Sequence, residues 1–254
     1  MKKFFINIIL TLLFASYGHA AGETKEPLHP DWSFEGPLGK FERDSLQRGY
    51  QVYTEVCAGC HSMDLLSYRN LVEEGGPEFS KDQAKAMAAM FETKGGPNED
   101  GEIIMRPAIL SDHFVSPWEN EQQARAANGG AYPPDLSVIV KAREGGADYI
   151  YSLLIGYEDA PSEMSLDDGV YYNIYAKGNK IAMPQPLYED GVEYTDGTVA
   201  TPEQMAHDVT MFLTWAAEPK LEARKRIGFK VISYLIILSF LLYFTNRRIW
   251  KDTH

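Results

Sequence analysis

The feature that most constrains the fold of this chain is the run CAGCH at residues 57–61, which holds its only two cysteines. Two cysteines at this spacing can be a dithiol redox pair, half of a zinc site or, with a histidine after them, the attachment point of a c-type haem. Zinc needs about four ligands, and the sequence has no second cysteine pair. A dithiol does not require the histidine and usually follows a βαβ pattern, which the sequence does not show. The run therefore favours covalent haem, with thioether bonds from Cys57 and Cys60 and with His61 as the proximal iron ligand.

The sixth coordination position of such an iron is usually filled by a methionine or a second histidine. Met183 is the leading candidate, because it lies in the proline-bounded run KIAMPQPLY, where a stiff backbone can hold a thioether in place. Met63 lies too close to His61 in the sequence to reach the opposite side of the haem. His113 is an open alternative, and so is His207, although we expect His207 to be solvated on an acidic helix face. Other methionines on predicted helices are expected to pack in the core: Met87, Met90, Met205 and Met211.

Two apolar stretches predict export and membrane anchoring. Residues 1–20 begin with two lysines, continue as an apolar run and end in small residues, which is the form of a cleavable secretory signal peptide. Residues 229–245 form a second apolar run, which at about 1.5 Å per residue is just long enough to cross a bilayer. Basic residues flank this run on both sides, which is unusual for a buried core helix. We therefore expect an exported haem domain over 21–219, followed over 220–254 by a basic stalk, one transmembrane helix and a short cytoplasmic tail.

Charge is distributed unevenly along the chain. The formal net charge is −12, but residues 21–219 carry 14 basic and 34 acidic side chains, a net charge of −20. Residues 220–254 carry 8 basic and 2 acidic side chains, a net charge of +6. An acidic body repels nucleic acid and favours a cationic partner. The same acidity could serve solubility alone, so charge by itself does not identify the partner.

Hydrophobic spacing and capping residues predict a mostly α-helical body. Asp44 is expected to cap a helix that leads directly into the CAGCH run, and Thr201 is expected to cap the last helix of the body. Residues 92–102 are expected to form a solvated loop, and residues 191–199 a small hairpin. The predicted helices of the body cover residues 45–56, 80–91, 118–128, 135–144, 147–157 and 202–217.

Several long runs of the sequence resemble the cytochrome c1 family, the haem-bearing subunit of quinol–cytochrome c reductase, in its bacterial type. They include WSFEGPLGKFERDSLQRGYQVYTEVCAGCHSM, RAANGGAYPPDLSVIVKAREGGADYIYSLLIGY, IAMPQPL and DGTVATPEQMAHDVTMFLTWAAEPKLEARKRIGFKV. The resemblance implies a mostly α, class I cytochrome c-like haem domain with extra loops and one C-terminal transmembrane helix. It implies that Met183 is the axial methionine, that Arg143 lies near a haem propionate, and that Pro133 and Pro134 line the haem pocket.

The resemblance also implies a function in respiratory electron transport. One haem c would carry single electrons from a Rieske iron–sulfur protein to a soluble or anchored cytochrome c, beside cytochrome b and membrane lipid. The chain would be an electron-transfer subunit and not an enzyme alone, with its haem domain on the periplasmic side of the bacterial inner membrane, its C-terminus in the cytoplasm and no nucleic-acid partner. The alternatives are a haem c subunit of another respiratory oxidase or reductase, and a dithiol or sensor module that uses Cys57 and Cys60 as thiols.

Overall fold

The computed structural model describes residues 25–251, so the predicted signal peptide at 1–20 lies outside the described residues. The described part is mostly helical, as predicted. Its α-helices are α1 Arg43–Val52, α2 Lys81–Ala89, α3 Glu121–Ala127, α4 Gly146–Ile155, α5 Pro202–Ala217 and α6 Leu221–Ile249. A π-helical turn, Tyr53–Cys57, continues α1, and 3-10 turns cover Tyr68–Val72 and Lys177–Asn179. Two antiparallel pairs complete the described elements: β1 Glu92–Pro97 with β2 Ile103–Pro107, and β3 Tyr171–Tyr172 with β4 Lys180–Ile181.

The body is organised around the crossing of α1 and α5. A Cβ atom on Gly49 would lie 2.0 Å from the backbone oxygen of Asp208, so the two helices can approach this closely only because residue 49 is a glycine. Beside the crossing, the fully buried Asp208 carboxylate accepts hydrogen bonds from Ser45, from Arg48 at 2.8 Å and from Gln204 at 2.9 Å. Burial opposes ionisation, but the neighbouring His207 together with these hydrogen bonds holds the pKa of Asp208 below its ordinary value. The crossing therefore combines close helix packing with a buried ion pair, and it fixes the direction in which α1 enters the CAGCH run.

Helix α6 starts against the body and then leaves it. Leu221 is buried, and the Glu222 carboxylate accepts hydrogen bonds from the Phe41 backbone N–H at 3.0 Å and from Arg43 at 2.8 Å. Farther along, no residue in the apolar part of α6 is buried. Within residues 25–251 it is the one helix that is long and apolar enough to cross a membrane, and it contains the predicted span at 229–245.

Residues 92–107 form a hairpin, whereas the sequence predicted a loop over 92–102. The β1–β2 register runs from Glu92 opposite Pro107 to Pro97 opposite Ile103, with one irregularity between these ends. The Asn98 side chain closes the turn by accepting two backbone N–H groups, at 3.0 and 2.8 Å. The glycines and proline of β1 disfavour a strand locally, but pairing with β2 outweighs that preference.

Residues 135–144 form turns and not the helix predicted there, although the second predicted helix is present as α4 and begins at the expected glycine pair. Asp135 and Ser137 explain the difference. Their side chains accept hydrogen bonds from residues 62–65, and Asp135 also accepts the backbone N–H of Ser137 at 2.8 Å. Such bonds compete with helix formation, so long-range contacts and not local propensity decide this segment.

The small hairpin predicted at 191–199 is also absent. Asp196 instead accepts the Thr198 backbone N–H at 2.9 Å and pairs with Arg48 of α1 at 2.8 Å. The segment therefore forms turns, not paired strands, and Asp196 bonds it to α1. The Thr201 cap of α5 is confirmed, since its hydroxyl accepts the backbone N–H of residue 204 at 3.2 Å. The Asp44 cap is wrong, because α1 starts one residue earlier and Asp44 lies in its first turn.

Candidate metal centre

The CAGCH run begins at the end of the π-helical turn that continues α1. The backbone N–H groups of Cys60 and His61 both donate to the Cys57 carbonyl, at 3.1 and 2.9 Å, and close a tight loop. Both cysteines are free thiols, Cys57 half-buried and Cys60 exposed. Burial, with a smaller contribution from Cys60, raises the pKa of the Cys57 thiol to about 12. Reactive dithiols depend on a lowered thiol pKa, which Cys57 does not show.

The His61 ring is oriented for metal ligation. Its Nδ1 atom lies 2.8 Å from the carbonyl oxygen of Pro134. A carbonyl can only accept a hydrogen bond, so Nδ1 carries the proton and the Nε2 lone pair remains available. Burial lowers the pKa of His61, although the hydrogen bond to Pro134 opposes the shift, and the ring is neutral at pH 7. Two thiols and a neutral imidazole with a free Nε2 match the donor set that a c-type haem requires.

Two residues that the sequence analysis did not single out hold the CAGCH run in place. The Trp118 indole donates to the Cys60 carbonyl at 2.9 Å. Asp135, directly after the predicted proline pair, accepts hydrogen bonds from the Ser62 hydroxyl and the Asp64 backbone N–H, both at 2.8 Å. Trp118 is 58 residues from its partner, and no local spacing rule could have found it. For Asp135, the only indication in the sequence of a role at this site was its position directly after the predicted proline pair.

Met183 lies in a loop that follows β4, and its side chain is half-buried. The Tyr157 hydroxyl donates to the Met183 backbone oxygen at 3.0 Å, and Tyr157 itself pairs with Asn173 in an isolated antiparallel bridge. Tyr157 was also missed, because it is 26 residues away from Met183 in the sequence. Within the described residues, no hydrogen bond joins this loop to the CAGCH run, so ligation by Met183 stays a prediction.

The structure also describes the alternative ligands, His113 and His207, and the other methionines. His113 is exposed and forms an isolated bridge with Ser67. His207 is half-buried and stacks on Trp32 with ring centroids 4.9 Å apart, so the expectation that it is solvated is wrong. Met90 is 77% exposed and does not pack in the core as predicted. The core packing of the remaining helical methionines is confirmed, with Met205 and Met211 fully buried and Met87 packed at the edge of the core; Met63 is also fully buried.

The structure gives the last two predicted residues different surroundings. Pro133 is half-buried and directly precedes Pro134, whose carbonyl binds His61. Arg143 is exposed, and its guanidinium donates to the backbone oxygen of Ala142 at 3.1 Å. No carboxylate within residues 25–251 pairs with Arg143, so its guanidinium is available to an anionic group. Its predicted contact with a haem propionate stays a prediction.

Comparisons with known proteins identify one family. The sequence model of the Cytochrome C1 family matches residues 32–253. A mitochondrial cytochrome c1 heme protein of Arabidopsis thaliana is 50% identical over 223 residues, covering 88% of this chain and 71% of that relative. Cytochrome c1 of Rhodospirillum rubrum is 45% identical over 249 residues, covering 91% of this chain and 90% of that relative. A cytochrome b/c1 of Bradyrhizobium diazoefficiens is 48% identical over 242 residues, and the chain spans only 35% of that longer protein.

Proposed function

Because the chain belongs to the cytochrome c1 family, we propose that it is the membrane-anchored haem subunit of a quinol–cytochrome c reductase and passes single electrons from a Rieske iron–sulfur protein to a cytochrome c. The observation that carries this proposal is the hydrogen bond between His61 Nδ1 and the Pro134 carbonyl. It leaves Nε2 free at the end of a run that contains two free thiols. Bound haem c supplies an iron that alternates between the ferric and ferrous states by one electron.

Each predicted site residue has one function in this proposal. Cys57 and Cys60 attach the haem covalently, which retains it on an exported protein. His61 and Met183 would be the two protein ligands of the iron, so that water and small ligands would be excluded and the centre would transfer electrons without binding a substrate. A thioether ligand raises the potential, as an acceptor downstream of quinol oxidation requires. Pro133 and Pro134 would line the haem pocket, and Arg143 would pair with a propionate.

The anchor defines the setting of this electron transfer. We assign α6 as a single transmembrane span, with the haem domain on the periplasmic side of a bacterial inner membrane and the C-terminus in the cytoplasm. The form of residues 1–20 supports this orientation, because a signal peptide exports the segment that follows it. The name of the Bradyrhizobium relative joins cytochrome b and c1, which supports cytochrome b as a neighbour of this chain.

Spectroscopy and purification test the proposal together. The membrane-bound protein should give the reduced-minus-oxidised spectrum of a c-type haem, and the ferrous form should not bind carbon monoxide readily because both axial positions are filled. It should purify with a cytochrome b and a Rieske protein. A haem c spectrum without those two partners would favour another oxidase or reductase, and a protein without haem would refute the proposal.

The acidic body predicts how the acceptor reaches this subunit. A net charge of −20 over residues 21–219 should steer a cytochrome c with a basic face, because unscreened charge acts over a Debye length of about 10 Å at 0.1 M salt. Electron transfer to such an acceptor should slow steeply as salt is added, while transfer from the Rieske protein within the complex should change little. Stopped-flow rates across a range of ionic strength measure both steps. If the bimolecular rate did not depend on salt, the acidity would serve solubility and not docking.

A further inference from the structure

The Asp135 carboxylate joins two segments of the candidate metal centre. One of its oxygens accepts hydrogen bonds from the Ser62 hydroxyl and from the Asp64 backbone N–H, both at 2.8 Å. Its other oxygen accepts the Ser137 backbone N–H at 2.8 Å. Three donors therefore surround one carboxylate, two of them from the segment after His61 and one from its own segment. Ser62 is 9% exposed and Ser137 is fully buried, so water does not compete freely for the bonds that these two residues donate.

Two further hydrogen bonds join the same two segments, residues 62–65 and 135–137, and complete a junction between them. The Leu136 backbone N–H donates to the Ser62 carbonyl at 2.9 Å, and the Leu65 backbone N–H donates to the Ser137 hydroxyl at 3.1 Å. The junction holds residues 62–65 against residues 135–137. The bond between His61 and the Pro134 carbonyl lies immediately beside it, because His61 precedes Ser62 and Pro134 precedes Asp135. The position of the carbonyl that orients the imidazole thus depends on how firmly the two segments are joined.

Asp135 is the member of this junction that carries a charge. Partial burial opposes its ionisation, but hydrogen bonds from Ser137, Asp64 and Ser62 hold its pKa below the ordinary value. Hydrogen bonds to an ionised acceptor are shorter and roughly twice as strong as neutral ones. An asparagine could not replace Asp135 fully. In one orientation of the amide its NH₂ group would face the Ser137 backbone N–H, and in the other it would face the Ser62 hydroxyl and the Asp64 backbone N–H, all of which are donors here.

We propose that Asp135 is a positioning residue for the axial histidine: it fixes the Pro134 carbonyl and thereby the ring orientation and the Nδ1 hydrogen bond of His61. This inference rests on the proposed function, in which His61 Nε2 is an iron ligand. A firm hydrogen bond at Nδ1 raises the basicity of the ligating nitrogen, and a basic ligand stabilises ferric iron. Loosening the junction should therefore favour the ferrous state and allow the ring a wider range of orientations.

The test compares Asp135→Asn with Asp64→Asn in the full-length, haem-loaded protein. Asp64 is a matched control, because it carries the same charge on the facing segment of the junction but is exposed, and its carboxylate accepts none of the junction's hydrogen bonds. Redox titration gives the midpoint potential of each protein. Low-temperature electron paramagnetic resonance of the ferric form reports the ring orientation, since the g-values of a low-spin haem depend on its axial ligands.

Asp135→Asn should raise the ferrous-to-ferric ratio about tenfold at a fixed applied potential, which is about 59 mV for one electron, and should broaden the resonance at the largest g-value. Asp64→Asn should shift the ratio less and leave the line width unchanged. Equal shifts and equal line widths in the two variants would overturn the positioning role alone. Absence of haem c from the wild-type protein would overturn both this inference and the proposed function.

Ser62→Ala keeps the test decisive if Asp135→Asn does not fold. This variant removes one hydrogen bond from the junction and leaves the charge of Asp135 in place. It should shift the potential in the same direction by a smaller amount and broaden the same resonance. A Ser62→Ala protein with the wild-type potential and line width would contradict the proposal.

Discussion

Replacing Gly49 with alanine should destabilise the body by forcing α1 and α5 apart. The new Cβ would lie 2.0 Å from the backbone oxygen of Asp208 and 2.7 Å from the Cβ of Phe212, and real Cβ atoms essentially never come within 3.0 Å of another heavy atom. The helices must therefore separate by about 1 Å, an overpacking that costs about 1–3 kcal/mol. The separation also strains the charge-assisted bonds to Asp208, each of which contributes about 1.5–3 kcal/mol.

The higher helix propensity of alanine offsets about 1 kcal/mol of this destabilisation. The net loss should be about 2–4 kcal/mol, which for a domain of this size lowers the unfolding temperature by about 4–15 °C. Thermal unfolding of the haem-loaded protein in detergent, followed by far-ultraviolet circular dichroism, measures the change. Gly96→Ala is the control, because a Cβ on Gly96 meets no atom within 4 Å. If Gly49→Ala unfolded at the wild-type temperature, the close crossing would not hold the body together.

Three further predictions concern the sixth ligand, the start of α6 and acid stability. Met183→Leu should let carbon monoxide bind the ferrous haem and should lower the midpoint potential, because a thioether stabilises ferrous iron; a wild-type spectrum and potential would refute the assignment. Chains that end at Arg226 or at Glu218 should both be released from the membrane as haem-loaded proteins. Only the chain ending at Arg226 keeps the ion pair between Glu222 and Arg43 of α1, so calorimetry should show that it unfolds at the higher temperature. The Thr198 backbone N–H and, to a smaller extent, the Arg48 guanidinium lower the pKa of Asp196 to about 2. The ionised carboxylate therefore stabilises the folded protein fully above the unfolded-state pKa near 4, and this stabilisation is lost as the pH falls from about 4 to 2. Asp196→Asn should flatten the acid-unfolding curve in that range, and an unchanged curve would contradict this cause.

The correct predictions from the sequence depend on short-range chemistry. Thr201 caps α5 within a single turn. The long apolar helix α6, which contains the predicted span, follows from its length and apolar composition, which burial elsewhere in the chain does not alter. The CAGCH run predicts a haem ligand set within five residues, and that assignment stays a prediction. Local features of this kind depend on bond geometry and on the transfer of apolar side chains out of water. Distant parts of the chain do not alter them, so the sequence alone predicts them.

Other features could not be predicted, because their partners are distant in the sequence. Residues 135–144 have a helical pattern, but hydrogen bonds between Asp135 and the loop after His61 hold this segment as turns. The hairpin at 92–107 forms through pairing of two strands whose local preferences are weak. Glu222 lies in a segment predicted to be a basic stalk, yet its partner Arg43 places the start of α6 against the body.

Residues within a few turns of one another carry the signals for most of the helices and for the long apolar helix α6, and they also carry the haem-binding prediction at residues 57–61. Which nitrogen of His61 is free depends on the fold, because the Pro134 carbonyl that selects the tautomer is 73 residues away in the chain. The same holds for the Tyr157 hydroxyl that supports the Met183 loop, 26 residues away. A hydrogen bond requires two atoms within about 3 Å. Long-range packing brings the two atoms together, and the spacing of residues along a single sequence does not show which atoms will meet.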